Sequence, residues 1–264
     1  MRHRMLLVFT GVFLTLSFSL SGQSSRLSTY NTIGWINYFG NFKLGKSWGI
    51  HTEYQWRRAN WVQHWQQSLL RYGVNYQPKP SVLLRAGGAW VETFSYGEYP
   101  INGMGKAFTE HRLFQMAQLT HREGPLELSH RFMLEQRFVG RYALASDSRE
   151  TSYPLLHRAR YLVRLKYPLH THPETHKTTY VAAYDELFIG FGRQVNNNVF
   201  DQNRIGLLLG RKWSDFLTVE AGYLNQTLQY GRSINQRDAF QYNSGFIVNA
   251  YLTIEQKSKP IQAD

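Results

Sequence analysis

The 264 residues include no cysteine, only 8 prolines and 18% charged side chains. The absence of cysteine excludes a disulfide scaffold, a thiolate metal site, a cysteine nucleophile and a lipidated cysteine anchor. Long apolar runs are nearly absent. The one that exists, Met5 to Phe18, follows Arg2, His3 and Arg4 and precedes the small residues Ser19, Ser21 and Gly22. It is shorter than the ~20 residues a helix needs to cross a bilayer. Residues 1–22 therefore read as a secretory signal peptide cleaved after Ser21 or Gly22. The expected domain organisation is that leader followed by a single domain over 23–264. Beyond the leader no apolar run can span as a helix, so a membrane protein made from this chain crosses with strands. Acid is also scarce, with 18 Asp and Glu against 30 Lys and Arg, a net charge of +12. What the chain does have is 17 Tyr, 16 Phe and 21 Gly, a composition suited to strands and turns.

Apolar and polar residues alternate with period two along most of the chain. In 48–57, Trp48, Ile50, Thr52, Tyr54 and Trp56 share one face, opposite Gly49, His51, Glu53, Gln55 and Arg57. The segments 126–138, 157–167 and 216–226 repeat the pattern, and weaker versions lie at 30–42, 63–76, 82–94, 108–120, 179–191, 201–211 and 240–254. These are eleven candidate strands, most of them longer than the ~5–6 residues usual in soluble sheets and long enough for the ~9–11 a membrane strand needs. Connections fall into tight ones (43–47, 77–81, 121–125, 212–215) and long ones (95–107, 140–153, 193–200, 227–239), as the two rims of an outer-membrane barrel require. The expected fold class is all-β, an antiparallel transmembrane β-barrel of about 10–12 strands. The odd count conflicts with the even number such barrels normally have. It leaves three options: a missed short strand, one wrong assignment, or residues 23–30 threading the lumen.

Lysines concentrate in turns and tails, whereas arginines sit inside strands on the polar face. The polar faces carry Arg57, Arg71, Arg85, Arg112, Arg131, Arg137, Arg158, Arg160, Arg164 and Arg204, with Glu53, Glu110, Glu127, Glu135, Glu186 and Glu220 as partners. Guanidinium binds carboxylate bidentately in crowded interiors, so this set predicts a lumen laced by ion pairs. Trp48 and Trp56, eight residues apart on one face, match the spacing of two aromatic girdles.

The stretches Thr109-Glu110-His111-Arg112, His130 to Phe138, Arg158 to Tyr161, Tyr184 to Phe188, Phe200 to Arg204 and Glu220 to Gln226 resemble, in order, the domain-of-unknown-function 2490 family. The resemblance implies an exported β-barrel in the outer membrane of a Gram-negative bacterium. It brings no activity and no catalytic residues. At the C-terminal end the chain departs from typical outer-membrane strands, since mostly polar residues follow Ile254 in place of a terminal aromatic.

The expected role is a non-enzymatic one: structure, binding, or passive passage of small solutes through a charged lumen. Expected partners are outer-membrane lipid and lipopolysaccharide and the outer-membrane assembly machinery. Nucleic acid is not expected, because basic residues alternate with acidic ones in an exported protein. No cofactor, metal or catalytic residue is expected. His170, His172 and His176 sit in a proline-containing connection and read as a solvated turn. Ser129 and His130 face opposite sides of a strand, and Ser68 lies too far from His64 along one to pair with it. Two alternatives stand beside this reading: a barrel-embedded enzyme acting on lipid or lipopolysaccharide, and a secreted soluble β-sandwich that binds carbohydrate or peptide.

Overall fold

The computed structural model describes residues 26–175 and 177–255. It contains eleven strands: β1 (Leu27–Lys43), β2 (Trp48–Ala59), β3 (His64–Lys79), β4 (Val82–Thr93), β5 (Phe108–Glu123), β6 (Leu126–Val139), β7 (Leu155–Thr171), β8 (Thr178–Phe191), β9 (Phe200–Lys212), β10 (Leu217–Ile234) and β11 (Arg237–Glu255). Each is hydrogen-bonded to its sequence neighbours, and β1 meets β11 to close the ring. The closed ring rules out a two-sheet sandwich. Residues 1–22, read from the sequence as a signal peptide, lie outside the described residues.

The expectation of a wholly antiparallel barrel is corrected at one seam. β1 and β11 run parallel in unbroken register from Leu27↔Ala239 to Lys43↔Glu255. The reason is geometric. Every hairpin reverses the chain direction, so an odd number of strands leaves the first and last pointing the same way. The ring can then close only through a parallel pair. The odd count is thus real, and residues 27–30 belong to the wall as the start of β1. The backbones approach closely at this seam. A side chain on Gly245 would place its Cβ 1.7 Å from the carbonyl oxygen of Ile33.

The same alternation that marks the strands sets their burial, with the usual polarity reversed. In β2 the apolar Trp48, Ile50 and Tyr54 are exposed while His51, Glu53, Gln55 and Arg57 are buried. On β3, Leu70, Tyr72 and Val74 are exposed and Arg71 is buried; on β9, Ile205, Leu207 and Leu209 are exposed and Arg204 is buried. The outer wall is therefore largely apolar, with Asp185 of β8 and Asn203 of β9 as a hydrogen-bonded polar pair on it. Aromatic pairs edge it near both rims, Trp48 with Tyr76 at 4.7 Å near one, and Trp56 with Trp65 at 6.1 Å and Trp65 with Phe94 at 5.4 Å near the other.

One rim carries only short turns, at 44–47, 80–81, 124–125, 172–177 and 213–216. The opposite rim carries the long loops 94–107, 140–154 and 192–199, together with the tighter connections 60–63 and 235–236. The last of these corrects the expected long loop at 227–239. β10 and β11 continue through that stretch, past one irregularity between Gln229 and Ser233, to a turn at Asn235 and Gln236 with φ of 51° and 62°. Two successive residues in the left-handed region are the signature of a type I′ hairpin, whose twist matches that of the flanking strands.

Candidate functional site

All sixteen residues read from the sequence as a charge ladder lie on the inward side of the wall. Strand alternation puts them there, and ring closure brings acids and bases from separate strands into contact. Glu135 on β6 is the hub. It is fully buried, accepts from Arg158 at 2.6 Å and Arg160 at 2.9 Å on β7, and has Arg71 at 3.6 Å and Arg112 at 3.8 Å. Glu110 accepts both guanidinium nitrogens of Arg112, at 2.7 and 2.9 Å, and pairs with Arg137. Glu186 takes Arg131 at 2.8 Å and Arg160 at 2.7 Å. Glu53 takes Arg71 at 2.9 Å and His51 at 3.2 Å. Glu220 pairs with Arg164 and accepts from Tyr180 at 2.6 Å and Tyr251 at 3.1 Å. Glu127 stands near the short-turn rim, where it pairs with Lys166 at 3.1 Å and the exposed Arg122 at 2.6 Å.

Three of the ladder arginines form no ion pair among the described residues. Arg85 bonds the amide oxygens of Asn75 at 2.6 Å and Asn41 at 3.2 Å. Arg57 bonds Gln67 at 2.6 Å and Gln55, and its Nε has no partner. Arg204 bonds only the amide oxygen of Gln202, at 3.1 and 3.2 Å. Arg57 and Arg204 both lie against the ring of Trp35, their guanidinium carbons 4.0 and 4.9 Å from its centroid.

The charges occupy mainly the β4–β9 side of the bore. The β10–β11–β1–β3 side is lined largely by amides, and a loop side chain is inserted among them. Tyr96, from the 94–107 loop, is buried; it accepts from Gln66 at 2.9 Å and donates to Gln241 at 3.1 Å. Burial pushes the Tyr96 phenol above its usual pKa, against the opposing pull of the Gln66 hydrogen bond. Gln66 in turn accepts from the Trp35 indole at 2.6 Å. Asn243 donates to Gln226 at 3.1 Å, and Gln226 to Gln202 at 2.5 Å.

The ionic lattice divides the bore. A chamber of about 390 Å³ lies beneath the long loops, and a second of about 360 Å³ lies toward the short-turn rim. Gln55, Arg71, Arg160 and Arg204 line both, so they stand in the partition between them. Six arginines and six acids are nine-tenths or more buried in this interior. Arg71, Arg112, Arg158 and Arg160 meet the cost of desolvation by pairing with these acids, whereas Arg57 and Arg204 have only amide partners and aromatic rings.

Sequence reasoning missed Asp201, which sits one residue inside β9 and bonds Arg158 at 2.6 Å. It also missed Lys166 and the uncharged partners Gln66, Tyr96, Gln202, Gln241 and Asn243. Ser129 is buried and shares a hydrogen bond with Thr120, while His130 bonds Tyr161 on the outer face. Ser68 is within 3.2 Å of Tyr54 on the outer wall. His170 is the penultimate residue of β7, His172 lies in the turn after it, and His176 lies outside the described residues. Among the described residues, no three His, Asp or Glu side chains are grouped to hold a metal ion.

The model of a family described as "Protein of unknown function (DUF2490)" matches residues 32–237, from within β1 to the first residue of β11. No curated protein and no solved structure matches the chain.

Proposed function

Because this chain belongs to the DUF2490 family, whose function is unknown, we propose a role drawn from its own geometry: an outer-membrane β-barrel with a structural or ligand-binding lumen, and neither a catalytic centre nor an open channel. The observation that carries the reading is the reversed burial of the strands. Apolar side chains cover most of the outer wall, and all but one of the mid-strand charges lie in the interior. An apolar belt of this extent is unfavourable in water and suits acyl chains, with aromatic pairs placed where headgroups begin. Lipid and lipopolysaccharide are thus the proposed neighbours of the outer wall, and the outer-membrane assembly machinery the proposed agent of its insertion.

The lumen supports the rest of the reading. Its acids are held by guanidiniums, which leaves them poorly suited to act as free general bases. The partition across the bore opposes passive passage, since an ion crossing it would have to part paired charges.

The test is expression of the full chain with its leader in a Gram-negative host. The protein is expected in the outer-membrane fraction, resistant to salt and carbonate extraction, with gel mobility that changes on heating. In planar bilayers it should insert silently. Full release by salt would overturn the membrane assignment, and steady single-channel conductance would overturn the closed lumen.

A further inference from the structure

We propose that the loop-side chamber binds a small polyhydroxylated carboxylate, an acid of the uronic type, through the arginine pair Arg57 and Arg204. This deepens the reading of the lumen as a binding chamber and rests on it.

Most of the interior guanidiniums face a carboxylate of this chain at ion-pair distance. Arg57 and Arg204 do not. Both are nearly buried, at 6% and 8% exposure, and both line the chamber under the long loops. Glu186 acts on Arg204 only from beyond ion-pair distance, being held by Arg131 and Arg160, and Glu53 is likewise engaged by Arg71. Both guanidiniums pack against the Trp35 ring, 4.0 and 4.9 Å from its centroid, which holds them in one neighbourhood. Two buried cations held together without a counter-charge are costly, and an anion of the right size would offset that cost.

The unpartnered Nε of Arg57 is a donor still available to it. A carboxylate is the anion that a guanidinium fork matches in the plane.

The rest of the chamber indicates what the carboxylate is attached to. The chamber is also lined by Gln67, Gln202, Gln226 and Asn198, and its two acids, Glu110 and Asp201, are held by Arg137 and Arg158. Amide side chains both donate and accept, as hydroxyl groups require. The volume of about 390 Å³ falls within the range of small-molecule sites and suits one or two sugar rings.

The experiment is isothermal titration of the full-length protein, folded in detergent, with D-glucuronate as the probe. Glucose supplies hydroxyls without charge, and acetate supplies charge without hydroxyls. Saturable binding of glucuronate is expected, with each comparator at least about tenfold weaker. Arg57→Gln and Arg204→Gln should each weaken glucuronate at least about tenfold, the loss of one charge-assisted bond. Arg122→Gln, at the far rim, should leave it unchanged. Heat-dependent gel mobility confirms that each variant is folded, and Arg57→Lys, which keeps the charge, serves if Arg57→Gln does not fold. No saturable heat with folded wild-type protein, equal affinity in the folded Arg57→Gln/Arg204→Gln double variant, or acetate or glucose binding as well as glucuronate would overturn the proposal. A protein that sits silently in membranes but takes no glucuronate refutes this inference alone. A salt-extractable protein that binds it refutes the membrane reading alone.

Discussion

Glu135 has no exposed surface and stands among four guanidiniums. Neutralising it leaves positive charge buried without compensation, which typically costs about 3–5 kcal/mol. Glu135→Gln is therefore expected to lower stability by that amount in urea unfolding of the detergent-folded barrel. Glu127→Gln, whose partner Arg122 is exposed at the rim, should cost under about 1 kcal/mol in the same assay. Tyr96 adds a dependence on pH. Its raised pKa means that the neutral phenol is favoured in the folded state. The stability it contributes is complete below the free tyrosine value of about 10 and declines as pH rises through the folded value. Protease cleavage of the 94–107 loop should accelerate in that alkaline window. In Tyr96→Phe the loop should be more cleavable at neutral pH, by about 1 kcal/mol of docking energy, with less further change in alkali.

At the level of the strand, legibility followed the environment of each face. Where one side of a strand meets the apolar exterior and the other meets the charged bore, the period-two pattern is strong, and all eleven strands could be read from it. The stretch from Thr227 to Ala239 misled because it reads Thr-Leu-Gln-Tyr-Gly-Arg-Ser-Ile-Asn-Gln-Arg-Asp-Ala, with polar residues on both sides of the strand. There β10 and β11 rise toward the loop rim, and the alternation fades while the hydrogen bonding continues. Asp201 escaped notice because it lies at the very start of β9, and the glutamines did so because neutral side chains have no complementary charge to betray them. The hairpin itself offers a check. Gln236 occupies the left-handed region at φ 62°, where glycine is favoured. Gln236→Gly should raise stability by up to about 1 kcal/mol in urea unfolding, whereas the same change in a disordered loop would lower or leave it.

For the molecule as a whole the defining element is the seam. Parallel pairing between strands so far apart in sequence leaves no local mark; only strand parity hinted at it. The absence of cysteine makes it easy to probe. Ile36 and Val248 face each other across β1 and β11, at a spacing that a disulfide accommodates. The Ile36→Cys/Val248→Cys variant should oxidise to a cross-linked form with altered gel mobility. Ile36→Cys/Leu252→Cys, four residues out of register and ~13 Å away along the strand, should not. Cross-linking in the second variant and not the first would refute the register.

The seam also sets what protein engineering can do with this wall. Leu27, which opens β1, stands at the loop rim, and Glu255, which closes β11, stands at the short-turn rim. In a barrel of even strand number a few residues can splice the two ends and let the polypeptide be reopened at any other hairpin. Here the splice would have to traverse the height of the cylinder, either down a bore already filled with side chains or across the greasy outside. Circular permutants of this protein should therefore fail with any short linker.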